Sequence, residues 1–133
     1  MSDTSKAQVI SIVDDDRSVR EALKDCVESA GYEGEAFASA EDFWASAHRH
    51  STACLILDMR LPGMDGFDLY RQLLAAKSGI PVIFITAHGD ERMRARALKD
   101  GAVDFLQKPV SREALLNAVH SALGGSRKRA GDE

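Results

Sequence analysis

The chain has 133 residues, 44% hydrophobic and 29% charged, which suits one compact domain with a real core and hardly two. Its formal net charge of −4 argues against a general nucleic-acid binder, although a local basic face stays open. No apolar run approaches the ~20 residues of a membrane span, and the polar start MSDTSKAQ leads us to expect no signal peptide and a cytoplasmic protein.

Short apolar runs alternate with amphipathic stretches along the chain. VISIV (9–13) is predicted as the first strand, and it runs straight into three acids, Asp14, Asp15 and Asp16. Val19, Leu23, Cys26, Val27 and Ala30 make one face of a first helix, which Gly31 stops. EGEAF (33–37) is the second strand. Ser39 and Asp42 have capping-box spacing, and Phe43 and Ala47 follow four residues apart in a second helix that also carries Trp44, His48 and His50. CLILD (54–58) is the third strand and ends on Asp58. Phe67, Tyr70, Leu73 and Leu74 mark the third helix. PVIFIT (81–86) is the fourth strand and ends on Thr86.

Met93, Ala97 and Leu98 form the buried stripe of a fourth helix, which turns Arg92, Arg94, Arg96 and Lys99 toward solvent and stops at Gly101. VDFLQ (103–107) is the fifth strand, followed by Lys108. Ser111 caps the fifth helix, whose stripe is Leu115, Leu116, Val119 and Leu123. The domain is therefore expected over residues 1–123, with 124–133, GGSRKRAGDE, as a flexible tail or linker remnant. Its SRKR run is a weak signal for nucleic acid. Cys26 and Cys54, isolated in apolar settings, are expected to fill the core.

Five βα repeats with right-handed crossovers predict a doubly wound parallel five-stranded α/β sheet. The first, third and fourth strands are nearly all apolar, as parallel strands covered on both faces must be. In such a sheet ligands bind beyond the carboxyl ends of the strands. That edge collects Asp14 and Asp15, Asp58, Thr86 and Lys108.

Acids after a strand often do no more than solvate a loop, but five suitable groups at one edge of one sheet outweigh that account. Three carboxylates so close repel one another, and a hard divalent cation with oxygen ligands, Mg²⁺, resolves the repulsion. Lys108 can pair with one carboxylate and Thr86 can hydrogen-bond a ligand oxygen. The set suits a tetrahedral oxyanion seated on a metal, with phosphate foremost and Asp58 as the reactive group. Asp16 is expected to serve the first helix as its N-cap. His48, His50 and His120 are expected at the solvated surface, whereas His88, two residues after Thr86, would overhang the pocket.

Four stretches, Asp14–Asp15, DMRLPGMDG (58–66), ITAHGD (85–90) and FLQKP (105–109), occur in an order and spacing that resemble the receiver domain of two-component response regulators. The resemblance runs from about residue 9 to 123, and ITAHGD with GAVDFLQKP looks most like the FixJ type, which often carries a helix-turn-helix output domain. It implies a flavodoxin-like fold in which Asp58 accepts phosphate from a sensor histidine kinase. Asp15, Asp58 and the Arg60 backbone carbonyl would ligate Mg²⁺, with Asp14 acting largely through water. Thr86 and Lys108 would contact the phosphoryl oxygens, Phe105 would take the aromatic switch position, and the Lys108–Pro109 peptide would be cis.

The function implied is a phosphorylation-controlled switch rather than an enzyme in its own right. Phosphorylation would draw Thr86 inward, Phe105 would fill the vacated space, and the face of the fourth helix, fifth strand and fifth helix would rearrange. That face would then serve a phosphorylation-dependent homodimer or another partner, with DNA reached only through a separate output domain. A haloacid-dehalogenase-type phosphatase would need an acid where Arg60 stands. A flavin or nucleotide carrier would need a Gly/Ser/Thr-rich first loop in place of Asp14–Asp16. A scaffold that no longer phosphorylates would not need the intact set of five.

Overall fold

Every strand expected from the apolar runs forms. β1 (Val9–Val13), β2 (Glu33–Phe37), β3 (Thr52–Asp58), β4 (Val82–Thr86) and β5 (Asp104–Gln107) make one parallel sheet ordered β2-β1-β3-β4-β5. Between and after them lie α1 (Arg17–Ser29), α2 (Ala40–Ala45), α3 (Gly66–Ala75), α4 (Glu91–Lys99) and α5 (Arg112–His120). The computed structural model describes residues 7–125. This is the flavodoxin-like arrangement, and its strand order reverses between β1 and β3, where a crevice opens at the carboxyl edge.

The sheet separates two cores because successive strand residues point to opposite faces. Cys54 and Ile56 of β3 join Ile10, Ile12, Ile83 and Ile85 beneath α1 and α5. Leu55 and Leu57 join Val13, Phe84 and Phe105 on the other side, against Phe43 of α2 and Leu69, Tyr70 and Leu73 of α3. All five helices begin on a short polar side chain. Asp16, Ser39, Asp65, Asp90 and Ser111 each accept a backbone N–H of the first turn. Asp16 is thus the cap of α1, and the Ser18 hydroxyl and the Ser18 and Val19 N–H groups hold its carboxyl below the usual range.

The structure departs from the sequence pattern in three places. α2 stops at Ala45 because Ser46 turns extended, and residues Ala47–Ser51 form a separate 3-10 turn. Arg49 secures that turn by stacking 4.0 Å over the Trp44 ring and donating to the Trp44 carbonyl. β3 begins two residues early, at Thr52, whose hydroxyl shares a buried 2.7 Å hydrogen bond with Ser11. Leu74 is 47% exposed, since α3 buries Gly66, Leu69, Tyr70 and Leu73, a stripe that leaves Leu74 outside.

Both cysteines are free, and burial pushes the Cys54 thiol up to about 12, which suits a core filler. Among the described residues no helix is long and apolar enough to cross a membrane. After α5 the chain makes a π-helical turn, Ser121–Gly125, with Leu123 packed on the α1/α5 core. Residues 126–133 of the expected tail, including SRKR, lie outside the described residues.

Phe84 of β4 is fully buried, with Phe67 and Tyr70 ring centroids 5.3 and 5.2 Å away. Phe84→Ala is expected to cost about 3–5 kcal/mol in urea denaturation, while Leu74→Ala stays within about 0.5 kcal/mol. Equal losses in the two variants would contradict this division between core and surface.

Candidate functional site

Burying the hydrophobic strands carries their terminal acids inward with them. Asp14, directly after β1, is 0% exposed, and Asp58, the last residue of β3, is 3% exposed. Between two such carboxylates stands one ammonium. Lys108 Nζ lies 2.8 Å from Asp14 Oδ2 and 3.1 Å from Asp58 Oδ2. Lys108 is set in place by its own N–H, which donates to the Thr86 carbonyl at 2.8 Å, and the next peptide, Lys108–Pro109, is cis. Two backbone donors hold the acids from below: Asp16 N–H to Asp14 Oδ1 at 2.8 Å, and Arg60 N–H to Asp58 Oδ1 at 3.1 Å. Arg20 of α1 donates to the Asp14 carbonyl at 2.8 Å.

The charges do not balance. Burial pushes the Asp58 carboxyl up, and the charge of Asp14 adds to the effect, against the Arg60 N–H and the Lys108 ammonium. For Lys108, burial alone would favour the neutral amine, but the hydrogen bonds and charges of Asp14 and Asp58 outweigh it and raise its pKa. Asp15 is exposed beside them, and single oxygens of Asp14, Asp15 and Asp58 all come within 4.8 Å of one another. Asp14 Oδ2 is fully buried, and among the described residues Lys108 Nζ at 2.8 Å is the one donor near it, which leaves a lone pair of this oxygen unused. A buried oxygen with spare acceptor capacity, three carboxylates and one ammonium fit a hard divalent cation, whose ligands are oxygens.

Thr86 closes the site beyond β4. It is fully buried, and its Oγ1 accepts the His88 N–H at 3.2 Å, while the His88 side chain is exposed. Phe105 is already 7% exposed, so its ring needs no vacated space to enter the core. A Cβ on Gly89 would stand 2.6 Å from both the Phe105 ring and the Thr86 methyl, so only glycine lets the loop lie on both. Of the four basic residues expected toward solvent on α4, Arg96 stacks 4.8 Å over Phe67 of α3 and Arg94 pairs with Glu91 at 3.7 Å.

The sequence pattern thus names Asp14, Asp15, Asp58 and Lys108, which the structure brings together with Thr86 at the next strand end, whereas Arg20 at the Asp14 carbonyl was not named. Gly66 was missed. A Cβ there would meet the Asp58 carbonyl oxygen at 2.4 Å, and its N–H donates to the Met59 carbonyl at 3.1 Å. The turn composition of PGMDG was the available signal. Glu41 was missed too; its carboxylate accepts the Met64 N–H of the same loop at 2.9 Å. The Arg60 side chain is exposed and lines a groove of about 520 Å³ with Met59, Phe67 and Met93.

A carboxylate held at elevated pKa by burial costs stability whenever it is ionised. That cost is fully present above the folded-state pKa of Asp58 and vanishes below the ordinary carboxylate range. Asp58→Asn is therefore expected to raise the denaturation midpoint at pH 7 in a chelator, with the gain shrinking as pH falls. A variant less stable than wild type at pH 7 would contradict this account of the site.

Comparison with known proteins agrees with the geometry. The response regulator receiver domain family matches residues 10–120. The response regulator protein TodT of Pseudomonas putida is 49% identical over 120 residues, covering 90% of this chain and 53% of that protein. Nodulation protein W of Bradyrhizobium diazoefficiens is 44% identical over 127 residues, covering 96% of this chain and 56% of that protein. The chain spans about half the length of these curated relatives. Among solved structures, FixJ-N superposes with a TM-score of 0.79 at 37% identity, covering 89% of this chain and 94% of that one. The response regulator StyR superposes with a TM-score of 0.80 at 46% identity, covering 93% and 64%. With 111 consecutive positions inside the family's match, this chain belongs to the response regulator receiver domains of two-component systems, FixJ among its relatives.

Proposed function

We propose that Asp58 is the phosphoacceptor, that a sensor histidine kinase is the donor, and that the reaction runs on Mg²⁺ in the cytoplasm. The bridge from Lys108 to both Asp14 and Asp58 supports this most, because it pins a reactive carboxylate beside a cation in a site that still carries excess negative charge. Asp15, Asp58 and the Arg60 carbonyl would hold the ion, with Asp14 acting mainly through water. Bound Mg²⁺ supplies neutralisation of charge on the transferring group.

In the transfer, an Asp58 oxygen attacks phosphorus and the P–N bond of the kinase phosphohistidine breaks. The electron pair goes to the imidazole nitrogen, which takes up a proton. Once Asp58 is an acyl phosphate it no longer competes fully for the ammonium, so Lys108 turns to a phosphoryl oxygen. The Thr86 hydroxyl, which now accepts from His88, donates to another. With Phe105 already inside, the Thr86 hydroxyl and the loop through His88 and Gly89 form the moving part. Movement there reaches the surface of α4, β5 and α5, where a homodimer or an output partner would bind. DNA would be reached only through a separate output domain.

Acetyl phosphate with Mg²⁺ is expected to add one phosphoryl group to the wild type and none to Asp58→Asn, read by intact mass. A chelator should abolish the adduct. Equal adducts on both proteins would sink the assignment.

The dimer is tested by light scattering against concentration, with and without beryllofluoride as a stable phosphoryl mimic. Arg92 and Lys99 are exposed on α4 and Asp100 is exposed at its C-terminal cap, so one helix presents charges of both signs, as a self-complementary patch requires. Beryllofluoride is expected to raise the apparent mass toward two chains, and Lys99→Glu to reverse this. A mass that stays monomeric at high concentration in both states would leave the face to a different partner.

A further inference from the structure

The loop between β3 and α3, residues 59–65, carries the Arg60 carbonyl and is held at both ends. At its neck, the Gly66 N–H bonds the Met59 carbonyl at 3.1 Å, and the absence of a side chain lets Gly66 rest on the Asp58 carbonyl. At its tip, Glu41 Oε2 accepts the Met64 N–H at 2.9 Å. Gly63, with φ of +73°, turns beside that same oxygen, and a Cβ there would stand 2.6 Å from it. Between neck and tip, the Arg60 N–H donates to Asp58 Oδ1. A carboxylate from α2, a helix that supplies none of the candidate ligands, therefore fixes the far end of the loop. The Met64 N–H also holds the Glu41 carboxyl below its usual range, so the ionised form makes the bond.

We propose that Glu41 is a positioning residue for the cation site: by clamping the loop at Met64 it sets where the Arg60 carbonyl sits, without touching the ion. This rests on the metal-dependent reading of the acidic cluster given above. A clamp from outside the ligand set acts as outer partners of metal ligands do, restricting the ligand's freedom before the ion arrives. Gly63 belongs to the same device, since a larger residue would push the clamping oxygen away.

The test titrates Mg²⁺ into isotopically labelled wild type, Glu41→Ala and Glu41→Gln, following the amide signals of Asp14, Asp15, Asp58 and Arg60, with hydrogen exchange at Met64 measured in parallel. Wild type is expected to bind saturably. Glu41→Ala should weaken Mg²⁺ about three- to tenfold, at or below the usual loss for an outer partner, and speed exchange at Met64. Glu41→Gln keeps an acceptor oxygen and should stay within about twofold of wild type. Equal affinity in wild type and Glu41→Ala would overturn the assignment. So would equal weakening in both variants, which would mean that the charge of Glu41 acts at a distance. Absence of saturable binding by wild type would overturn the metal reading itself, and the clamp with it.

Discussion

One ammonium between two buried carboxylates is the constraint around which the rest of this domain is arranged. Asp14 follows β1 and Asp58 ends the adjacent β3, while Lys108 follows β5, with β4 between. Only a long, flexible cation starting from that far edge reaches both acids, and Lys108 does so at 2.8 and 3.1 Å with its side chain 17% exposed. Removing the lysine would leave two carboxylates facing each other in a low-dielectric setting, where repulsion is strongest. The apolar strands give the depth, and the depth pushes the Asp58 carboxyl above its usual range. Stability is lower at this edge than packing alone would make it, as is expected where a fold serves chemistry.

From this cluster a short path leads outward. Thr86 ends β4 beside the acids, the His88 N–H bonds back to its hydroxyl, and Gly89 lies against both the Thr86 methyl and the Phe105 ring. Then comes α4, whose only fully buried residue is Ala97. Ala97 shares the core with Phe105 of β5 and Met93 packs against it, while two polar ties run to α3: Arg96 stacks on Phe67, and the Tyr70 hydroxyl donates to the Asp100 carbonyl at 3.1 Å. A helix so lightly seated is drawn from the low-stability end of a structure, where moving elements are found. In a receiver domain, a signalling switch, that is a fitting neighbour for a site that gains charge.

Much of this was legible in the sequence because strand ends and helix starts are written locally. The acids and Lys108 directly follow apolar runs whose direction in a parallel sheet is fixed, so their shared edge follows from order alone. Helix caps were equally plain at Asp16, Ser39 and Ser111. What escaped depends on contacts between distant segments. The end of α2 is decided by Arg49 stacking back on Trp44, and the early start of β3 by the Ser11–Thr52 hydrogen bond. Leu74 matched the helical period, yet the stripe of α3 was already filled by Leu69, Tyr70 and Leu73. Glu41 looks like an ordinary first-turn acid, and only the fold brings it to a loop 23 residues away.

The central claim is that these particular acids share a cation while Asp58 carries the phosphoryl group. A crystal structure grown with Mn²⁺ and beryllofluoride, with data collected at the manganese edge, tests it most directly. The account requires one anomalous peak bounded by Asp15, Asp58 and the Arg60 carbonyl, with the beryllofluoride group on an Asp58 oxygen and Lys108 turned toward it. A manganese peak elsewhere, or an adduct on Asp14 or Asp15, would contradict it.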